Sequence, residues 1–247
     1  MGETKFVLLI VEGISDEALI GEYCTQLISK SFQDMDIRFR VTEGDVLTRN
    51  VRNKSGKRIV EDIFKNYLQR YSLKREDFIH IFFVCDIDGS YFPQESIIND
   101  DTFDEFCKPA YTYAPLKNKI FACTKKRDAI VETWSRKRER QNQLVDLPMI
   151  NGVPFKIYYN SFFLEHVLCR QVDIRKDQKE EIIDSFLDHN DLQDFIHLLE
   201  KKSLSLDYFE SWKLLRQSDF TLFKSYSNML IMFNKLDELF NNRTDND

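Results

Sequence analysis

Two acidic clusters carry the chemistry that can be read in this chain: Glu12-Gly13-Ile14-Ser15-Asp16-Glu17 and Asp86-Ile87-Asp88-Gly89. Carboxylate oxygens are hard donors. They suit Mg²⁺, which takes one or two carboxylates and keeps several waters. Such an ion polarises a phosphodiester and activates water. Asp86 and Asp88 are two apart, so on an extended chain they share a face. Gly13, directly after Glu12, permits a tight turn and close approach of a ligand to the backbone. Taken singly, each cluster reads better as ordinary loop and cap acids. Their shared setting favours a metal site.

That setting is the end of a buried strand. Phe6-Val7-Leu8-Leu9-Ile10-Val11 and Phe78-Ile79-His80-Ile81-Phe82-Phe83-Val84-Cys85 are short apolar runs rich in β-branched and aromatic residues, the mark of buried strands. In an open α/β sheet, ligands bind at the carboxyl ends of the strands. A helix is expected from Ser15, as N-cap, to about Lys30, with Asp16 and Glu17 favoured in its first turn. A strand over 37–42 ends at Glu43-Gly44-Asp45, where Glu43 could stand beside Glu12. A helix runs from about Lys57 to Tyr71. Residues 89–118 read as a long loop. A strand near 119–123, a charged helix near 125–142 and a strand over 155–159 come next. Asn160-Ser161 is placed to cap a helix through Phe162–Leu168. From Asp177 on, every segment reads helical. The β-α-β-α-β pattern implies an α/β fold, a mostly parallel sheet flanked by helices, with a helical C-terminal appendage. The expected division is 1–170, with a variable insertion at about 89–150, and 171–247.

Composition bounds the function. The 247 residues are 43% hydrophobic with 21 Phe, enough for a sizeable core. A net charge of -6 excludes a uniformly basic nucleic-acid coat but leaves local patches open. One basic stretch holds Arg49, Arg52, Lys54, Lys57 and Arg58. Another holds Lys125, Lys126, Arg127, Arg136, Lys137, Arg138 and Arg140, with Trp134 among them. These could grip phosphates while Trp134 stacks on a base. The plainer alternative is a solvated helix face, since Asp128, Glu132 and Glu139 dilute the charge. The five cysteines are scattered without C-x-x-C spacing and read as small buried hydrophobes. Their odd number and the lack of a leader point to a reducing cytoplasm. No apolar run is long enough to cross a membrane. His80 reads as a core histidine, and His166 could touch substrate. The apolar stripe Phe220-Phe223-Tyr226, continuing to Ile231 and Phe233, suits core packing or a homodimer contact.

Val11-Glu12-Gly13 through Ser15-Asp16-Glu17 after the first strand, with Asp86-x-Asp88-Gly89 after a later one, resembles the Toprim domain. The matched signature covers roughly residues 6–90. The resemblance implies Mg²⁺ or Mn²⁺ as cofactor, Glu12 as acid/base or ligand, and Asp86 and Asp88 as the metal pair. Gly13 and Asp16 match the turn and the second acidic position. The segment Tyr159–Leu168 resembles the S-x-x-x-E helix start of small standalone Toprim proteins of the OLD, RloB and AriB (PARIS) type. By that resemblance Glu165 is a further site acid; otherwise it is an exposed helix glutamate. The resemblance implies a nuclease cleaving DNA, or RNA such as tRNA. It would be the toxic effector of an antiphage, abortive-infection system controlled by a partner ABC- or AAA-type ATPase. Residues 89–150 match nothing in the family. No zinc ribbon or winged-helix cleavage module is present, which disfavours a topoisomerase or primase. The alternatives are a non-catalytic metal- or nucleotide-binding regulatory subunit and a nucleotide phosphatase.

Overall fold

The apolar run after residue 4 is buried on both faces, as expected of a strand covered by helices on each side. Val7 to Val11 are wholly inaccessible. In the computed structural model this is β1 (Lys5–Val11), followed by α1 (Ile14–Ile28), β2 (Met35–Val41), α2 (Gly56–Tyr71) and β3 (Phe78–Asp86). The structure describes residues 4–28, 35–42, 44–49, 54–100, 111–114, 117, 119–172, 174–217 and 224–241. After β3 come β4 (Ile97–Asn99), β5 (Tyr111–Ala114), β6 (Lys119–Ala122), α3 (Thr124–Val145), β7 (Met149–Ile150) and β8 (Val153–Asn160). Five helices close the order: α4 (Leu164–Cys169), α5 (Lys176–His189), α6 (Leu192–Lys202), α7 (Tyr208–Gln217) and α8 (Met229–Asn241).

The protein is α/β. Its main sheet has five strands in the order β2-β1-β3-β8-β7. The first four are mutually parallel, and only the short β7 runs antiparallel. β1 lies directly beside β3, with Ile10 opposite Phe83, so both acidic clusters leave the same edge of the sheet. β3 in turn pairs with β8, with Asp86 opposite Asn160.

The C-terminal helices share this core. Tyr23 of α1 stacks on Phe195 of α6 at 4.5 Å, and Phe195 meets Phe233 of α8 edge-on at 5.7 Å. From α7, Trp212 Nε1 donates to the Ile157 carbonyl at 3.3 Å. Residues 224–228 run along the outer end of β8. Ser161 N–H donates to the Tyr226 carbonyl and Tyr159 N–H to Asn228 Oδ1, both at 2.7 Å. They cover a length of strand edge that would otherwise expose unpaired backbone.

Several local expectations need correction. Helix α1 starts at Ile14, so Ser15 is inside its first turn rather than its cap. The Gly13 N–H is taken up by Asp16 Oδ2 at 2.9 Å. Asn160 and Ser161 do not cap α4. Asn160 ends β8 and accepts from Ser227 Oγ at 2.9 Å, while α4 begins after Phe163. The 89–118 segment is not simply loop: β4 and β5 join β6 in a second, three-stranded sheet. The last helix begins at Met229 rather than Phe220, and Phe220 and Phe223 lie outside the described residues. Cys24, Cys85 and Cys123 are buried, but Cys169 is exposed, and Cys107 lies outside the described residues. Among the described residues no helix is long and apolar enough to cross a membrane.

Phe195 joins α1, α5 and α8 through ring contacts and is fully buried. Phe195→Ala is expected to cost about 3–5 kcal/mol, read as a lower midpoint in urea unfolding with the slope unchanged. A loss below about 1 kcal/mol would mean that the C-terminal helices are not part of this core.

Candidate functional site

Six carboxylates gather at the carboxyl edge of the sheet, Glu12, Asp16, Asp45, Asp86, Asp88 and Glu165, in one cleft of about 690 Å³ that Glu17 and Glu180 also line. Glu12 follows β1, and its Oε2 accepts the backbone N–H of Asp86 at 3.1 Å across the strand pair. Asp86 closes β3. Ile87, fully buried, anchors the turn, with its N–H on the Asn160 carbonyl at 2.9 Å. Asp88 then takes a left-handed conformation with φ 49° and donates its N–H to the Phe162 carbonyl at 3.1 Å. Short acidic side chains tolerate that region. Phe162, also left-handed at φ 57°, is a bulky residue there and stores backbone strain. Its fully buried ring, edge-on to Tyr113 at 4.6 Å, holds it in place.

Two lysines divide this acidity. Lys137 of α3 is wholly buried, with Nζ 2.5 Å from Asp88, 2.6 Å from Asp45 and 4.0 Å from Glu12. Lys179 of α5 lies 3.0 Å from Glu165, which is 2% exposed. Burial opposes the charge on Lys137. The carboxylates of Asp45, Asp88 and Glu12 outweigh it and hold the ammonium well above its ordinary pKa. Lys179 is raised in the same way by Glu165, Asp86 and Asp16 against the cost of burial.

Two ammoniums do not balance six carboxylates. Burial, then the charge of Asp45, pushes Glu12 well above the ordinary carboxylate range. Burial and Asp16 do the same to Asp86. Burial with Glu165 lifts Asp16 to about 7, and burial raises Asp88 despite Lys137. The buried Glu12 Oε1 has no hydrogen-bond partner among the described residues.

This is the condition of a site short of positive charge, and its donors are the hard oxygens a Mg²⁺ or Mn²⁺ ion takes. The residues fit such an ion in chemistry and charge. They are not preassembled around one: among the described residues no group of three or more His, Cys, Asp and Glu is arranged to hold a metal. Asp45 and Asp88 pair instead with Lys137, and Glu165 with Lys179.

The structure therefore brings Glu12, Asp16, Asp86, Asp88 and Glu165 together as expected, Glu165 as a buried acid and not an exposed one. It adds Asp45 and both lysines, whose part in the site the sequence does not declare. Asp45 is the acid after β2 that the described residues bring to the cluster; Glu43 lies outside the described residues. Lys137 reads in the sequence as part of a charged helix face. The signal to the contrary is its spacing: Trp134, Lys137, Gln141 and Leu144 recur three and four apart and are all buried.

The expected nucleic-acid grip is less well formed. Lys57 and Arg58 pair with Glu61, and Arg58 also with Asp62. Arg127 donates to the carbonyls of Ile97 and Gln94, and Arg136 to Glu132. Arg49 is exposed, Lys126 and Arg138 are partly so, and Arg52 lies outside the described residues. Trp134 does not offer a face to a base. It is buried edge-on to Tyr111 at 5.1 Å, against Gly89. His166 is fully buried among Phe162, Phe163 and the Ser161 carbonyl, without an exposed face to offer a substrate. His80 is a core histidine, its pKa lowered by burial to about 4.

Comparisons with protein-family models, curated proteins and solved structures found no match.

Asp16 binds its proton more tightly folded than unfolded, so ionising it weakens the fold. Its stabilising effect is whole below its ordinary pKa of 3.8 and is lost as pH rises from there to about 7. Asp16→Asn, which keeps an acceptor for Gly13, should match wild type at low pH and exceed it at about pH 8. The expected gain is on the order of 2–4 °C in Tm for each kcal/mol released. Millimolar Mg²⁺ should close that gap. Thermal unfolding in which the two proteins keep a constant difference across this range would contradict the assignment.

Proposed function

We propose that this chain is a Mg²⁺- or Mn²⁺-dependent nuclease of Toprim type. One observation carries the reading. Two motifs 74 residues apart meet across adjacent parallel strands, Glu12 accepting from the Asp86 backbone at 3.1 Å. The motif resemblance and the excess of buried carboxylates support it. Glu12, Asp86 and Asp88 would hold the ion, with Asp16 and Glu165 beside them in the same cleft. The metal supplies polarisation of the phosphodiester and an activated water. Glu12, whose burial keeps its proton to higher pH, holds or releases a proton at Oε1. Lys137 pairs with Asp45 and Asp88, and Lys179 with Glu165, holding those side chains in place.

By the same resemblance, the protein acts in the cytoplasm as the toxic effector of an antiphage, abortive-infection system, restrained or triggered by a partner ABC- or AAA-type ATPase. The four described cysteines, all free thiols, agree with that compartment. DNA, and RNA such as tRNA, are the substrate classes.

A second reading draws on the engaged basic residues. Lys57 and Arg58 are half neutralised on the surface of α2 by Glu61 and Asp62, and Arg127 and Arg136 have partners of their own, which thins the free positive charge offered to a nucleic-acid backbone. A metal- or nucleotide-binding regulatory subunit without turnover fits that.

The deciding assay incubates the protein with Mg²⁺ or Mn²⁺ on total tRNA and on plasmid DNA, with and without its partner ATPase. Glu12→Ala should lower cleavage by roughly 10²-fold or more, the loss expected when several kcal/mol of transition-state stabilisation are removed. Undiminished cutting by folded Glu12→Ala protein sinks the mechanism. Mg²⁺ binding with no cleavage under any condition favours the regulatory subunit.

A further inference from the structure

The two edges of the main sheet are unlike. At one, β7 is only two residues long, and the chain at 224–228 runs along the outer end of β8. At the other, β2 runs for seven residues and has no strand beside it but β1 among the described residues. Proline and bulge, two usual guards of an edge strand, are absent from it: its register with β1 is unbroken from Met35 to Val41. One bond fixes which groups this edge offers. Thr42 N–H donates to the Val11 carbonyl at 2.9 Å, so the even-numbered residues of β2 turn their backbone groups toward β1. The N–H and C=O groups of Met35, Ile37, Phe39 and Val41 point away from the sheet, a ready template for another strand.

The side chains around this edge are arranged in two sets. Asp36 and Arg38 stand on one face, 3.2 Å apart and both about half exposed. The Arg38 guanidinium is steadied over the Phe6 ring at 4.9 Å. Alongside runs a groove of about 450 Å³ lined by Ile37, Phe39, Tyr67, Tyr71 and Leu73, with Tyr71 52% exposed.

A second copy of this chain fits the edge in a single register. A two-fold axis normal to the sheet sets the two β2 strands antiparallel. Their outward backbone groups meet only where odd-numbered residues face odd-numbered ones, so the register moves in steps of two residues. With Ile37 on the axis, Asp36 faces Arg38 of the second copy, and Arg38 faces its Asp36. Both pairs fall at non-hydrogen-bonded positions, where facing side chains are closest. One step either way sets Arg38 against Arg38 or Asp36 against Asp36, and like charges directly opposite are destabilising. The acidic clefts do not oppose the pairing. The carboxyl ends of the two β2 strands point in opposite directions, and Val41, which lines the cleft, lies four residues from the axis in each copy. The two clefts are then separated along the strands by on the order of 25 Å, well beyond the screening length of about 8 Å at physiological salt.

We propose that β2 is a homodimer edge: two copies pair antiparallel about Ile37, joining their five-stranded sheets into one, with Asp36 and Arg38 as reciprocal ion pairs.

The test is sedimentation of the full chain over about 1–100 μM, where mass action exposes an associating pair. Wild type should reach a dimer. Arg38→Asp sets two like-charge pairs across the axis and should raise the dissociation constant about tenfold or more, and Asp36→Arg should do the same. The double variant, Asp36→Arg with Arg38→Asp, reverses both charges, restores the ion pairs and should recover the dimer. A wild type that stays monomeric throughout overturns the proposal. So does a dimer that neither single variant weakens, or a double variant no tighter than the singles. Amide hydrogen exchange on wild type gives a reading that needs no variant: Ile37 and Phe39 should gain protection as the chain is concentrated, and unchanged exchange at both overturns the proposal.

Discussion

The fold has to hold together carboxylates that repel one another. Glu12, Asp16, Asp45, Asp86, Asp88 and Glu165 share a single cleft at the carboxyl edge of a buried sheet. In that setting, ionised groups a few ångströms apart interact far more strongly than in water. Two lysines relieve part of the repulsion, and proton uptake relieves more, as the raised pKa values of Glu12, Asp16, Asp86 and Asp88 record. A scaffold built only for stability would not concentrate acid in this way. Perturbed groups gathered in a cleft are what functional sites and buried ion-pair networks have in common.

The rest of the architecture serves to keep those groups converging. Placing β1 beside β3 puts Glu12 against Asp86, and the parallel β8 places the Phe162 carbonyl under Asp88. The left-handed turns at Asp88 and Phe162 sit at the ends of neighbouring strands and are joined by one hydrogen bond. Each is tolerated because what surrounds it is rigid: the Ile87 anchor on one strand and the Tyr113–Phe162–His166 packing on the other. Gly89 matters less for its own conformation than for its lack of a side chain, which lets Trp134 close over the turn and seat α3.

Much of this is legible in the sequence, and the limits have a physical pattern. Strands and crossover helices announce themselves through periodicity, because burial on both faces demands unbroken apolar runs such as Val7–Val11. Carboxylates at strand ends are equally visible, since strand position fixes where they emerge. Side chains that reach the site from afar are not. Asp45 comes from a loop, and Lys137 from a helix whose mean composition is strongly polar. A lysine in an apolar stripe signals a buried ion pair, but its partners lie 49 residues away at Asp88 and are set by tertiary packing alone. The same packing withdraws Trp134, Arg127 and His166 from the surface roles their residue types suggest. The small second sheet escapes notice because strands as short as Ile97–Asn99 carry too little pattern to declare themselves.

The placement of Lys179 bears on how the chain is organised. The sequence divides naturally near residue 170, with the acidic motifs before it and only helices after. Yet Lys179, on the first long helix past that point, supplies half of the site's internal positive charge, through Glu165 at 3.0 Å. The same helix packs against α1, the element that carries Asp16. Lifting α5 from α1 would strip Glu165, Asp16 and Asp86 of their counter-charge and raise the repulsion among them. The acidic cleft and the C-terminal helices are therefore linked electrostatically as well as through the Tyr23–Phe195–Phe233 core. A divalent cation in the cleft would take over some of the duty of Lys179 and loosen the electrostatic hold on α5. Charge in the site and docking of the C-terminal helices are then two sides of one equilibrium, so whatever stabilises one acts on the other.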